Sequence, residues 1–317
     1  MHPAFSVIFL TTLIGAGQGL FVALYLAELG ARYGWVSAVP SGFYAAGSAL
    51  VIVLMVLGLI ASIFHLGRPE RGWRAASRWR TSWLSREIIV LPLFTAGAFL
   101  YGAAHWLLPP DTGAQATLAL GAVTVVLSFA LYVCTGMIYA CLKFLQEWAT
   151  PLTVVNYTLL GLASGFTAAT AYAAFAAPAL AGFFGPGALA LAGAALVTRG
   201  ASLVRNARLK PKSTLATAIG IKHQKIVQKS MGMMGGAFNT REFFHGRTRA
   251  TLRAVKWLFL LLVFPVPAAL LAAGLAQGSA PLLAGAFALQ YLGLLAERWF
   301  FFAQANHPQN LYYQSMA

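Results

Sequence analysis

The chain has 317 residues, 59% hydrophobic and only 9% charged, with a mean hydropathy of +0.73. A soluble globular protein carries about 25% charged residues and a disordered one has low hydrophobicity, so both classes are excluded. Twenty-two Lys and Arg stand against seven Asp and Glu, a formal charge of +15, which in a membrane chain reads as loops retained on one side and not as phosphate neutralisation on nucleic acid.

A membrane core about 30 Å thick takes roughly 20 apolar residues as helix. Eight stretches qualify: Ala4 to Ala27, Gly42 to Phe64, Ile88 to Leu108, Thr117 to Ala140, Leu152 to Phe175, Leu180 to Val197, Val255 to Leu275 and Leu282 to Phe302. The expected fold is an all-α integral membrane protein. It is one anchor domain over residues 1–317, a bundle of eight transmembrane helices with a long basic loop, 199–254, between the sixth and seventh.

The first stretch has no basic residues before it and reads as a membrane helix, not a cleaved signal. Within it, Gly15 and Gly19 match Gly161 and Gly165 of the fifth stretch as small-xxx-small pairs for close helix contact. Between the second and third stretches lie Arg68, Arg71, Arg74, Arg78, Arg80 and Arg86, and thirteen Lys or Arg lie from Arg199 to Lys256. With eight spans these fall on one side, joined by Lys143 and Arg298, while Arg32 alone is opposite. That side should be cytoplasmic, with both termini there. The stretch from Leu215 to Met231 has helix-like spacing, and Phe238, Phe243 and Phe244 follow as candidate anchors for a partner. Cys134 and Cys141 form no metal-ligand or redox motif and read as packing residues.

The chemistry must be sought among few polar groups. No phosphate loop, HExxH or strand-borne dinucleotide fingerprint is present. Of six histidines, only His65 and His105 lie at or inside spans, and they fall at opposite ends of the bundle, too far apart in depth to share one haem. No metal site and no haem are expected. The hairpin between the second and third spans brings His65 and Glu87 to the same face, with Ser85 as the expected N-cap. Arginines on lipid phosphates and tryptophans in the interfacial belt explain part of this hairpin. An imidazole and a carboxylate converging at membrane depth are more often functional. They suit a quinone, which needs an apolar slot, a donor to each carbonyl and proton exchange near neutral pH.

The runs His65-Leu-Gly-Arg-Pro, Trp83-Leu-Ser-Arg-Glu87, Gly220-Ile-Lys-His-Gln, Phe238-Asn-Thr-Arg-Glu-Phe-Phe-His245 and Glu297-Arg-Trp-Phe, with the closing His307-Pro-Gln-Asn-Leu-Tyr-Tyr, together resemble the dimethyl sulfoxide reductase anchor-subunit (DmsC-like) family. The resemblance spans nearly the whole chain. It implies a haem-free, eight-helix anchor that holds a molybdopterin catalytic subunit and an iron–sulfur subunit at the bacterial inner membrane. It also implies a site for ubiquinone or menaquinone at the hairpin, where His65, Gly67, Arg71 and Glu87 match the family's quinone-site residues. His65 and Glu87 would then handle protons, Arg71 would orient the headgroup, and Gly67 would let the backbone approach the ring. The basic face looks more like that of the cytoplasmic sulfite dehydrogenase anchors than that of the reductases. The expected function is therefore transfer of electrons from sulfite oxidation to the quinone pool. The alternatives are a quinol-oxidising anchor of a terminal reductase and a proton-coupled transporter, which normally has carboxylates near mid-membrane.

Overall fold

Inside a bilayer, backbone N–H and C=O groups have no water to bind, so each span must close its own hydrogen bonds as a helix. The computed structural model describes residues 1–64, 66–227, 229 and 242–312, apart from the side chains of residues 69 and 110–112. The helices are α1 (Phe5–Arg32), α2 (Ser41–Ile63), α3 (Trp83–Leu107), α4 (Pro110–Ala140), α5 (Pro151–Ala176), α6 (Ala181–Ala207), α7 (Leu215–Ile219), α8 (Arg249–Val263), α9 (Pro265–Gln277) and α10 (Ala280–Ala303). Short 3₁₀ turns at Pro69–Arg78, Pro178–Leu180 and Pro308–Tyr312 complete the order, and no strand occurs among the described residues.

Eight of these segments are long and apolar enough to span a membrane, with α8 and α9 together making the seventh from Arg249 to Gln277. The break between them falls at Phe264 (φ −114°, ψ −80°), just before Pro265, because proline has no N–H to continue the ladder. Outward-facing Val53, Leu57, Ile60, Leu93, Phe99, Val123 and Val126 stay exposed, an apolar belt suited to lipid and not to water.

Several helices run past the ends that hydropathy predicts. Helix α1 continues through Glu28 to Arg32, and α6 continues through Arg199 to Ala207. A charge ends an apolar run, but it does not end a helix when a partner inside the bundle satisfies it. The basic connection between α6 and α8 is correspondingly shorter than 199–254. Helix α3 starts five residues early: the N-cap is Ser82, whose hydroxyl accepts from the Ser85 amide at 3.3 Å, so Ser85 is not the cap. The helix expected from Leu215 to Met231 stops at Ile219, where Gly220 turns left-handed at φ 73°. Thr214 and Thr217 cap its other end reciprocally. A residue at positive φ ends the helical ladder, and glycine takes that conformation without steric cost.

Helices α1 and α5 form the axis. In each, 72% of the most apolar window is buried, against 28% to 39% for the other six spans. Their contact is backbone on backbone: a methyl at Gly165 would overlap Gly19 and Leu20, and one at Gly19 would overlap the Gly161 carbonyl. The small-xxx-small reading of these glycines thus holds, since without hydrophobic drive between helices in lipid, close approach supplies the attraction. Gly165→Val should force the axis apart and cost more than the roughly 1–3 kcal/mol of ordinary overpacking. Gly193→Ala, where a methyl would meet nothing within 4 Å, should be near neutral. Thermal unfolding followed by size-exclusion chromatography in mild detergent would separate the two.

Candidate functional site

The candidate site lies where α3 enters the bundle beside α1, α4, α5 and α10. Glu87 sits in the second turn of α3, half-buried, and its carboxylate accepts a hydrogen bond from the Thr135 hydroxyl of α4. Behind it is a cavity of about 20 Å³ walled by Leu10, Ile14, Leu160 and Leu294, with Gln18, Tyr132, Tyr157 and Arg298 as further polar neighbours. Gln18 donates to the Ser128 carbonyl at 2.7 Å, and the Tyr132 hydroxyl donates to the Gly15 carbonyl at 2.8 Å. One water needs roughly 10–15 Å³ by this measure, so this space takes water and not a ring.

Arg298 belongs to a buried charge cluster. Glu297 lies 2.7 Å from the Arg199 guanidinium and 2.7 Å from that of Arg298, with the three residues only 0–4% exposed. The Arg298 guanidinium also lies over the Tyr157 ring, 3.8 Å from its centroid. Two buried cations around one anion leave a net positive charge inside the protein. That charge faces the same cavity as Glu87. The sequence places Arg199 and Arg298 on the basic cytoplasmic side; their burial makes them part of this interior cluster, and the loop residues alone carry the bias.

The residues predicted for the site are only partly gathered. Glu87 is at the cavity. Arg71 lies on the exposed 3₁₀ turn, 3.8 Å from Glu70, with half its side chain in the open, and it does not line that cavity. Gly67 is exposed in the hairpin with open space where a Cβ would be. His65 lies outside the described residues. Sequence reasoning misses Thr135, Tyr157 and Arg298: the Glu297-Arg298 run is visible as a motif, but only the fold turns it toward Glu87.

A second polar cluster closes the opposite end. The Glu28 carboxylate accepts from Tyr101 at 2.7 Å and from Thr117 at 2.5 Å, and it lies 3.3 Å from His105 Nε2. Tyr44 stacks on the imidazole at 4.7 Å. These groups tie α1 to α2, α3 and α4 beside an open pocket of about 250 Å³. Here too a carboxylate that looks like the end of a span is an interior group.

On the basic face, the chain's own C-terminal segment occupies Phe243, one of the aromatic residues expected to anchor a partner. Phe243 stacks on His307 at 3.7 Å, and Asn310 donates to the Phe243 carbonyl at 3.0 Å; Phe238 lies outside the described residues. Partial burial, and next the positive amino terminus, hold the His245 and His307 imidazoles below their usual pKa.

The family model for the DMSO reductase anchor subunit (DmsC) matches residues 1–301. The chain belongs to this family. It is also 54% identical over 325 aligned residues, covering 100% of both chains, to a sulfite dehydrogenase subunit of Allochromatium vinosum. As a DmsC-family anchor with eight candidate spans, it is a multi-pass membrane protein whose polar groups cluster at the two ends of its bundle.

Within this anchor, the charge cluster generates a ranking. Glu297→Gln leaves two unmatched buried guanidiniums and should cost about 3–5 kcal/mol. Arg199→Met leaves a matched Glu297–Arg298 pair and should cost less. Unfolding temperatures of the two variants in the same detergent check the order, and an Arg199→Met protein less stable than Glu297→Gln would refute it.

Proposed function

We propose that this chain is the quinone-reactive membrane anchor of a sulfite dehydrogenase. A molybdopterin subunit oxidises sulfite, an iron–sulfur subunit relays the electrons, and both dock on the basic face of the anchor. The observation that carries this reading is the 54% identity, over the full length of both chains, with a sulfite dehydrogenase subunit of Allochromatium vinosum. The excess of Lys and Arg in the hairpin and in the α6–α8 connection supports a bacterial inner-membrane protein with termini and basic loops in the cytoplasm. Sulfite produced in the cytoplasm would then meet its enzyme there.

The donor chemistry around Glu87 suits a quinone, which supplies a two-electron, two-proton acceptor when bound. The cavity is too small for the ring. The headgroup would therefore meet Glu87 at its half-exposed edge under the hairpin, with the tail in lipid. There Glu87 exchanges a proton with one carbonyl oxygen, its carboxyl held in place by Thr135. His65 serves the other carbonyl from the hairpin, and Arg71 orients the ring from its outer side. The buried positive cluster at Arg298 lowers the energy of negative charge arriving at the headgroup, because a fixed charge in a dry interior needs no reorganisation.

If electrons leave through this hairpin, Glu87→Gln and His65→Ala should each slow quinone-coupled turnover by about 10²-fold, a typical contribution of one acid–base group. Complex assembly and dye-linked activity of the molybdopterin subunit should be unchanged. Full quinone activity in both variants would remove the site from this hairpin. Sidedness has its own check: a C-terminal reporter that fluoresces only in the cytoplasm should be bright. A dark cytoplasmic reporter with an active periplasmic one would favour the anchor of a terminal reductase.

A further inference from the structure

Glu87 can turn over only if it is resupplied with protons, and polar groups lie behind it toward the basic face. Its cavity and the next one share Tyr157 and Arg298. The second cavity, about 10 Å³, is lined chiefly by polar side chains, among them Asn156, Arg199, Ser202 and Glu297. It shares Glu147 and Asn206 with a groove of about 510 Å³ on the basic face. Three neighbouring spaces, each sharing wall residues with the next, thus lie in series between Glu87 and the basic face.

The size and chemistry of these spaces suit water. Arg199 Nη2, Arg298 Nη1 and Gln304 Nε2 are buried with no hydrogen-bond partner of good geometry among the described residues. A buried polar group without a partner is costly, and a bound water typically satisfies about three such groups. Asn156 stands at the narrow middle, donating to Ser202 at 2.8 Å and accepting from Thr198 at 2.8 Å. Three carboxylates lie along the line with the two guanidiniums: Glu297 is paired with both arginines, and Glu87 and Glu147 stand at its two ends.

We propose that this line of cavities is a proton path from Glu147 at the basic face, past Asn156 and the Arg199–Glu297–Arg298 cluster, to Glu87. The proposal rests on the reading of Glu87 as the group that exchanges protons with quinone. Each quinone reduced takes two electrons from the iron–sulfur partner and two protons. Glu87 gives a proton to a carbonyl oxygen and becomes a carboxylate. Water at the inner end of the path reprotonates it, and the chain draws a replacement from the basic surface.

The test uses the whole complex in its native membranes with decylubiquinone as acceptor. Asn156→Leu, which fills the narrow middle with an apolar side chain, should slow quinone turnover by about tenfold or more, with dye-linked activity unchanged. Sodium azide, whose conjugate acid is a small weak acid, should restore part of the loss. Hydration is read without quinone by hydroxyl-radical footprinting: Tyr157, although buried, should be labelled faster than the core residue Phe21, and Asn156→Leu should abolish the difference. If Asn156→Leu fails to assemble, Glu147→Gln at the mouth carries the same turnover test. Tyr157 as unreactive as Phe21 in the wild type, or full quinone turnover in the path variant, would overturn the path. Full turnover in Glu87→Gln would instead overturn the reading beneath it, whatever the path variants do.

Discussion

The backbone contact between α1 and α5 sets the rest of this structure. Lipid tails are as apolar as leucine, so helices in a bilayer gain little from hiding hydrophobic surface and must gain from close approach. Glycines at 15, 19, 161 and 165 permit that approach. Gly15, Gly161 and Ser164 at the same contact also line the cavity behind Glu87. Small side chains bring the two backbones together and leave gaps beside them, and polar groups of α1, α3, α4, α5 and α10 meet in those gaps. The contact that holds the bundle therefore also makes the interior space of the candidate site.

Charge placement follows the same economy of polar groups. Three of the seven carboxylates, Glu28, Glu87 and Glu297, lie within the bundle, and each has a partner on another helix. Glu28 is met by two hydroxyls and an imidazole, Glu87 by one hydroxyl, and Glu297 by two guanidiniums. These differences assign different work. Glu28 ties four helices together at one end. Glu297 neutralises one of two buried cations. Glu87 has the fewest partners and is not fully buried, which is why the proposed function gives it the exchange with quinone.

The two ends of the molecule are consequently unequal. The end with the basic loops carries Glu87, the arginine cluster and a groove of about 510 Å³. The other end carries a carboxylate–imidazole contact and Arg32, the last residue of α1. Under the proposed function, an anchor that receives electrons from subunits on one face has reason to keep its proton chemistry on that face. The electrons and protons then arrive together, and no charge need cross the full thickness of the membrane.

By itself the sequence determined the class, the eight spans, the glycine pairs suited to close helix contact and the family, because these rest on local composition and on motifs read in order. Apolar length decides a span, and a glycine pair four apart lies on one helix face whatever surrounds it. The sequence also singled out Glu87, through its place at the foot of a hairpin. Tertiary structure alone decided where the helices end, since Glu28 and Arg199 look like the edges of apolar runs until Tyr101 and Glu297 are found beside them. It alone brought Arg298 and Tyr157 to the cavity of Glu87 and left Arg71 at the surface. A buried charge is stable only through its partner. The partners here stand 73 residues away for Tyr101 and Glu28 and farther for Arg199 and Glu297, on helices whose relative rotation no local pattern encodes.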